Sequence, residues 1–247
     1  MLDISKQPME VAPTAHYSMG GIAVDPETHA TEVVGLYAAG ECTSGLHGAN
    51  RLGGNSLAET VIFGRRAGAA AAAHSRESEV QRRSKTAVQE AADELQGLIR
   101  PGSELARPLQ RAVRDLMWEH GGVVRDEGRM RDGLLKLGEI ADASRTVDIR
   151  PGEEGWFELA HVLDLRAGLR TAEATLRCAL ERRESRGAHN RSDFPGLDPG
   201  LQRNFYVRLE HRDTPMTVWS EPVPGIPAGL RALVAEDELP VAGRLLE

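Results

Sequence analysis

The spacing of apolar positions changes along this chain, and each change marks an element. Gly35-Leu36-Tyr37-Ala38-Ala39-Gly40 is a short apolar run ending in glycine, the pattern of a buried strand in an α/β sheet. From about Asn55 the period becomes helical. Leu57, Val61, Ile62 and Phe63, followed by Gly64, Gly68 and an alanine tract, predict a helix packed tightly on both sides. Ser75 to about Lys85 is polar and charged and reads as a linker or a helix entry. Val88, Ala91, Leu95 and Leu98 then return at helical spacing, and Pro101-Gly102 stops that helix. Ser103 is placed to cap the next, with Leu109, Val113 and Leu116 on its inner face. After the turn at Gly121-Gly122 a third helix is expected around Met130 to Ile140. A long fourth runs from about Trp156 to Arg183, with Leu159, Leu163, Leu169, Leu176 and Leu180 as its apolar stripe. Asn204–Glu210 and Met216–Ser220 alternate like two strands of a hairpin, and Pro222, Pro224, Pro227 and Pro240 make the tail irregular apart from a turn of helix near Leu230 to Val234.

The fold class expected is therefore an α/β portion, an α-helical bundle and a short C-terminal β-hairpin, divided at residues 1–75, 76–195 and 196–247. A chain of 247 residues is long enough to bury a core. Aromatic residues are scarce, at 4%, and charged ones make up 27%, which suits helices rich in alanine, leucine and arginine. The net charge of −7 argues against a nucleic-acid partner, despite local basic pairs such as Arg182-Arg183. Cys42 and Cys178 lie far apart and give neither a disulfide framework nor metal-ligand spacing, so a reducing cytoplasm is the simplest setting. No apolar stretch approaches the roughly 20 residues that span a bilayer. Membrane association is expected only indirectly, through a partner protein.

Candidate chemistry concentrates between His16 and Gly68. Glycine-rich turns, a histidine, a glutamate and an arginine surround one predicted strand and one helix start, the layout in which open α/β sheets place ligands. Free N–H groups at that helix start, around Asn55 to Leu57, suit an anion or a developing negative charge.

Three segments in order, His-Tyr-Ser-Met-Gly-Gly-Ile, Gly-Leu-Tyr-Ala-Ala-Gly-Glu and His-Gly-Ala-Asn-Arg-Leu-Gly-Gly-Asn-Ser-Leu, resemble the flavoprotein subunits of succinate dehydrogenase and fumarate reductase, with L-aspartate oxidase a close relative. Glu184 to Pro195 resembles the carboxy-terminal region of the same family. The resemblance implies FAD as cofactor, a dicarboxylate such as succinate or fumarate as substrate, partnership with an iron–sulfur subunit, and a flavin domain followed by a helical domain. It implies that His16 and Arg51 bind the dicarboxylate, while Glu41, Ser56 and Leu57 contact FAD. The residue types fit those roles. Arg51 offers a permanently charged planar fork for a carboxylate, and His16 a second donor. Glu41 is able to accept hydrogen bonds from a ribityl or ribose hydroxyl, and the helix starting near Ser56 favours charge on a reduced flavin.

Other parts of the family pattern are missing. No Gly-x-Gly-x-x-Gly follows a strand, and the family's capping segment, with its proton-transferring arginine and second substrate histidine, would lie upstream of His16. The resemblance thus implies the carboxy-terminal portion of a longer flavoprotein, with a flavin-domain remnant that does not turn over alone, exposes apolar surface and dissolves poorly. No catalytic residue is assigned. Taken without the family, His16 reads as a structural histidine, Arg51 as a salt-bridged surface residue and Glu41 as a turn cap. His47 and Asn50 either order their loop or touch ligand. Cys42 reads as a small packed thiol and Cys178 as helix packing. Glu184, Arg186 and His189 read either as an acid/base group or, the reading favoured, as structural residues at a solvated helix end. Two alternatives to a succinate/fumarate enzyme stand beside it, an aspartate-oxidising relative and a non-catalytic docking remnant. Met19 before Gly20-Gly21, and Ala58-Glu59, favour the succinate/fumarate side.

Overall fold

The computed structural model describes residues 3, 5–10, 16–79, 84–150, 152–211, 214–231 and 233, and the chain forms two compact units, Met1–Gln81 and Arg82–Glu247.

In the first unit a looped segment precedes one long helix, α1 (Asn55–Glu77). The apolar run Gly35–Gly40 does not form a strand. Tyr37 makes a single antiparallel bridge with Ala30, and Ile22 a single parallel bridge with Thr43. A fully apolar strand needs neighbours on both sides, and the described residues of this unit supply only these isolated bridges. What orders the loops is polar. The Ile22 N–H donates to the Cys42 carbonyl at 2.8 Å, and Gly21 lies so close to that carbonyl that a Cβ would collide with it. His29 is buried against Phe63, ring centroids 4.7 Å apart, and its Nδ1 lies 3.0 Å from the Ala38 carbonyl.

Tight packing of α1 on both sides is not observed. Leu57, Val61 and Ile62 are 77, 72 and 54% exposed, and a Cβ at Gly64 or Gly68 would meet open space. The helix forms from its own alanine-rich propensity, and of its small residues Ala67 is buried whereas Gly64 and Gly68 face open space.

The second unit is built on three mutually packed helices, α3 (Ala106–Gly121), α4 (Glu127–Ala143) and α5 (Glu153–Glu181). Their core includes Val113, Leu116, Met130, Leu137, Leu165 and Leu176. The buried face of α5 is Leu159, Val162, Leu165, Leu169, Ala172, Leu176 and Ala179, a run of three- and four-residue steps. Leu163, expected in that stripe, is 42% exposed. α2 (Lys85–Leu98) buries none of its residues fully, and only its end, at Leu98 and Ile99, packs on the core. Ser84 caps α2 by accepting from the Ala87 N–H, and Asp126 caps α4 through the Arg129 N–H. Ser103 caps nothing. α3 begins after Leu105, and the Ser103 N–H donates instead to the Thr146 carbonyl at 2.9 Å.

Two short strands, β1 (Val124–Arg125) and β2 (Asn190–Arg191), pair in parallel. β3 (Arg203–Arg208) and β4 (Thr217–Pro222) form the expected antiparallel hairpin, with Tyr206 opposite Trp219 and their rings stacked 5.4 Å apart. The turn of helix expected near Leu230 is α6 (Ala228–Arg231), and the expected irregular tail around Pro240 lies outside the described residues.

Candidate functional site

The family motifs meet beside the start of α1. Gly54 precedes the helix with φ +83°, a left-handed conformation that glycine adopts without strain, and among the described residues no side chain caps the first turn. That turn carries no acidic residue, so its N–H donors face no built-in carboxylate. Ser56 is half-buried there and Leu57 stands out into solvent. Glu41 follows Gly40, whose φ is +86°, and its Oε1 accepts the Ser18 N–H at 2.9 Å while the side chain stays exposed. Two motifs, Ser18 after His16-Tyr17 and Glu41 after the apolar run, are thereby tied together.

His16 is exposed. Its neighbour Tyr17 turns inward, and the Arg51 guanidinium carbon stands 4.7 Å from the centre of the Tyr17 ring. Arg51 Nη1 donates to its neighbour's carbonyl, Leu52 O, at 3.0 Å, whereas its Nε is buried without a hydrogen-bond partner. Among the described residues no carboxylate pairs with Arg51, so it is not the salt-bridged surface residue of the bland reading. A half-buried guanidinium without a counter-charge is unfavourable unless an anion completes it.

Beneath that pair lies a buried polar cluster that the sequence did not disclose. The Tyr17 hydroxyl donates to Glu59 Oε2 through a very short hydrogen bond. His47 Nε2 lies 3.0 Å from the same carboxylate oxygen and 3.1 Å from the Tyr17 hydroxyl, with the two rings edge to face. The His47 and Glu59 side chains are 7% and 2% exposed. Burial, then the hydrogen bond to Glu59 and its charge, push the Tyr17 phenol up to about 12, so it remains a donor at any ordinary pH. His47 thus orders its loop, one of the two roles open to it. Tyr17 and Glu59 were missed. The available signal was a carboxylate at Glu59, one turn into the helix and just before the apolar run Val61-Ile62-Phe63.

Cys42 is exposed rather than packed. Glu184, Arg186 and His189 lie in a hydrogen-bonded cluster after the end of α5, and within the charged run Glu184 and Arg191 are fully enclosed while Asn190, Ser192 and Asp193 stay exposed. Arg191 donates to the carbonyls of Ala179, Leu180 and Arg182 at the end of α5 and grips both oxygens of Asp193 at 2.7 Å. Asp193 in turn accepts the Glu127 N–H at the start of α4. Among the described residues no group of histidine, cysteine and acidic side chains suits a metal ion.

Comparison with known proteins first defines a flavoprotein. Residues 2–57 match the sequence profile of the FAD binding domain, and residues 110–223 match that of the fumarate reductase flavoprotein C-term. The chain belongs to the family of fumarate reductase and succinate dehydrogenase flavoprotein subunits. It is 38% identical over 200 residues to the fumarate reductase flavoprotein subunit of Escherichia coli, covering 78% of this chain and 33% of that protein. To L-aspartate oxidase of Pyrococcus abyssi it is 34% identical over 209 residues, covering 84% of this chain and 36% of that one. Among solved structures, a chain of the Mycobacterium smegmatis Sdh1 complex in the apo form superposes with a TM-score of 0.89 at 34% identity, covering 97% of this chain and 41% of the other. The chain therefore spans about a third of the length of the curated relatives it matches.

Proposed function

We propose that this chain forms part of an FAD-dependent oxidoreductase that interconverts succinate and fumarate, with His16 and Arg51 holding the dicarboxylate and Glu41, Ser56 and Leu57 lining the FAD site. The observation that carries the reading is Arg51, a guanidinium seated on an aromatic ring with a buried Nε and no carboxylate partner among the described residues. Such a group is preorganised for an anion, and its planar fork matches a carboxylate.

The residues around α1 suit FAD. The helix start has donors unclaimed by any side chain, and Glu41 spends Oε1 on the Ser18 N–H while keeping its carboxylate exposed. FAD, when bound, supplies the hydride acceptor or donor. The chain's own part is to hold the carboxylates still, to orient the carbon–carbon bond and to place positive charge where the substrate is negative. Electron exchange with an iron–sulfur subunit belongs to the same proposal. No helix among the described residues is long and apolar enough to cross a membrane, which agrees with attachment through partners.

The test is a visible spectrum after incubation with excess FAD and removal of free flavin, followed by titration with succinate. Retained flavin bands that shift with succinate are expected, with the shift lost and the flavin kept in Arg51→Ala. Bands that ignore succinate in both proteins would count against the dicarboxylate assignment. A colourless protein would count against Glu41, Ser56 and Leu57 as a sufficient flavin site. In a full-length protein carrying this region, flavin reduction by L-aspartate in place of succinate would favour the aspartate-oxidising alternative.

A further inference from the structure

Tyr17, His47 and Glu59 are buried, polar and unassigned to either ligand, and their connections converge on Arg51. Glu59 Oε2 receives the Tyr17 hydroxyl from 42 residues away in sequence and His47 Nε2 from 12 residues away. Both oxygens facing Nε2 are occupied as acceptors or donors toward each other, so Nε2 carries a proton and the imidazole donates into the pair. The carboxylate sits in the second turn of α1. Its burial at 2% exposure makes any rearrangement costly, because an unpaired carboxylate would be left behind.

The consequence reaches the ring. A phenol that donates to a carboxylate gains electron density on its π face, and that face carries the Arg51 guanidinium, 4.7 Å from the centroid. Among the described residues its Nε is buried and unpartnered, and the hydrogen bond from Nη1 to the Leu52 carbonyl is the one other hold on the guanidinium. Tyr17 also stands between His16 and Ser18, whose N–H is fixed to Glu41. One buried anchor therefore sets the backbone from which His16 projects as well as the plane on which Arg51 rests.

We infer that Tyr17, His47 and Glu59 are positioning residues for the carboxylate-binding pair His16 and Arg51. The cluster locks the Tyr17 ring, and the ring locks the guanidinium. This rests on the reading of Arg51 as a dicarboxylate-binding group, but the locking itself is testable without substrate.

The experiment is the rate at which phenylglyoxal modifies Arg51 in the 247-residue chain, followed by peptide mass spectrometry, with far-UV circular dichroism as the check on folding. Tyr17→Leu removes the platform and is expected to raise the rate on the order of tenfold, the scale of a partly desolvated cation–π contact. Tyr17→Phe keeps the ring, deletes one oxygen and is expected to fall between the two. Its small change keeps the question answerable if the leucine variant does not fold. A Tyr17→Leu rate equal to that of the unaltered chain overturns the inference. So does a Tyr17→Phe rate equal to that of the unaltered chain, because Glu59 and His47 would then contribute nothing to the lock. A parallel arm adds malonate, a non-reacting dicarboxylate, to the unaltered chain. Absence of protection there would sink the dicarboxylate reading alone, leaving the dependence on Tyr17 as the measure of the positioning device.

Discussion

Arg51 rests its guanidinium on the face of Tyr17, 4.7 Å from the ring centre, with no carboxylate partner among the described residues. Lysine cannot reproduce either the stacking or the two-pronged grip. Arg51→Lys is therefore expected to weaken succinate binding by on the order of tenfold or more, since a charge-assisted bidentate contact contributes ~1.5–3 kcal/mol. Flavin retention should not change, because Arg51 is assigned to the substrate side. Parallel titrations of FAD and of succinate measure the two effects separately, and equal losses in both would contradict the division of labour.

Glu41 joins two motifs through one hydrogen bond to the Ser18 N–H, 2.9 Å long. Glu41→Gln retains an acceptor for that bond, and Glu41→Ala removes it. The alanine variant is expected to lose FAD affinity by about tenfold or more and the glutamine variant by less, read from flavin fluorescence during equilibrium dialysis. Equal losses would mean that the charge, rather than the tie to Ser18, is what matters.

The helices were the most legible part of the fold because their apolar period is carried by many residues at once. Even there, counting leucines misplaced Leu163, since the true stripe of α5 passes through Val162, Leu165 and Ala172. The strand expected at Gly35–Gly40 was misread for a physical reason. Apolar character predicts burial, but a strand exists only where another chain segment completes its hydrogen bonds. At the candidate site the motif residues were legible through family resemblance, whereas Tyr17 and Glu59 were not. Their pairing spans 42 residues, and no local periodicity encodes a contact made across a helix start. The charged run around Glu184 looked solvated for a similar reason, because enclosure by α4 and α5 is a tertiary property.

Within the core of the second unit the contrast between Leu176 and Leu163 gives a direct test. Leu176 is fully buried and Leu163 is 42% exposed on the same helix. Leu176→Ala should cost about 2–5 kcal/mol of unfolding free energy, the range for a buried leucine that leaves a cavity. Leu163→Ala should stay within about 0.5–1 kcal/mol. Urea denaturation followed by helical circular dichroism measures both, and similar losses would show that Leu163 is covered in solution.

Arg191 closes the end of α5 and, through Asp193, the beginning of α4. Truncating it leaves three helix-end carbonyls without their donor in an enclosed site, and the exposed Asp193 carboxylate without its fork. Arg191→Ala is expected to destabilise the second unit by about 1–3 kcal/mol, the scale of buried acceptors left unsatisfied. Arg191→Lys should recover only part, since an ammonium cannot meet Asp193 in a fork while reaching the helix carbonyls. A loss below ~1 kcal/mol for the alanine variant would mean that water replaces the guanidinium without difficulty.

His189 makes this same cluster sensitive to acid. Arg125 Nη1 donates to its Nδ1 at 3.0 Å, so Nδ1 accepts, and its Nε2 donates to the Arg182 carbonyl at 3.0 Å. The neutral tautomer is thus fixed at both nitrogens, and a second proton would have to enter between the ring and a guanidinium. Burial, followed by the charges of Arg125, Arg182 and Arg191, holds the ring well below its ordinary 6.5, at about 4, outweighing the hydrogen bond to Arg182. Between those two values the unfolded chain binds more protons than the folded one, so stability rises with pH. His189 accordingly contributes its full stabilisation above about pH 6.5 and loses it progressively as pH falls toward 4. Glu184 and Asp193, whose carboxyls are held below their ordinary 4.5 and 3.8, add further losses as pH falls through and below those values. Burial opposes the shift at Glu184 but is outweighed by donors from Arg186, Asp198 and Arg182, while at Asp193 the Arg191 fork is the main cause. His189→Gln keeps an acceptor for Arg125 and a donor for Arg182 without a titrating ring. Thermal unfolding from pH 7 to pH 4 should therefore fall less steeply in this variant than in the unaltered protein, and parallel curves would show that His189 is protonated in the fold after all.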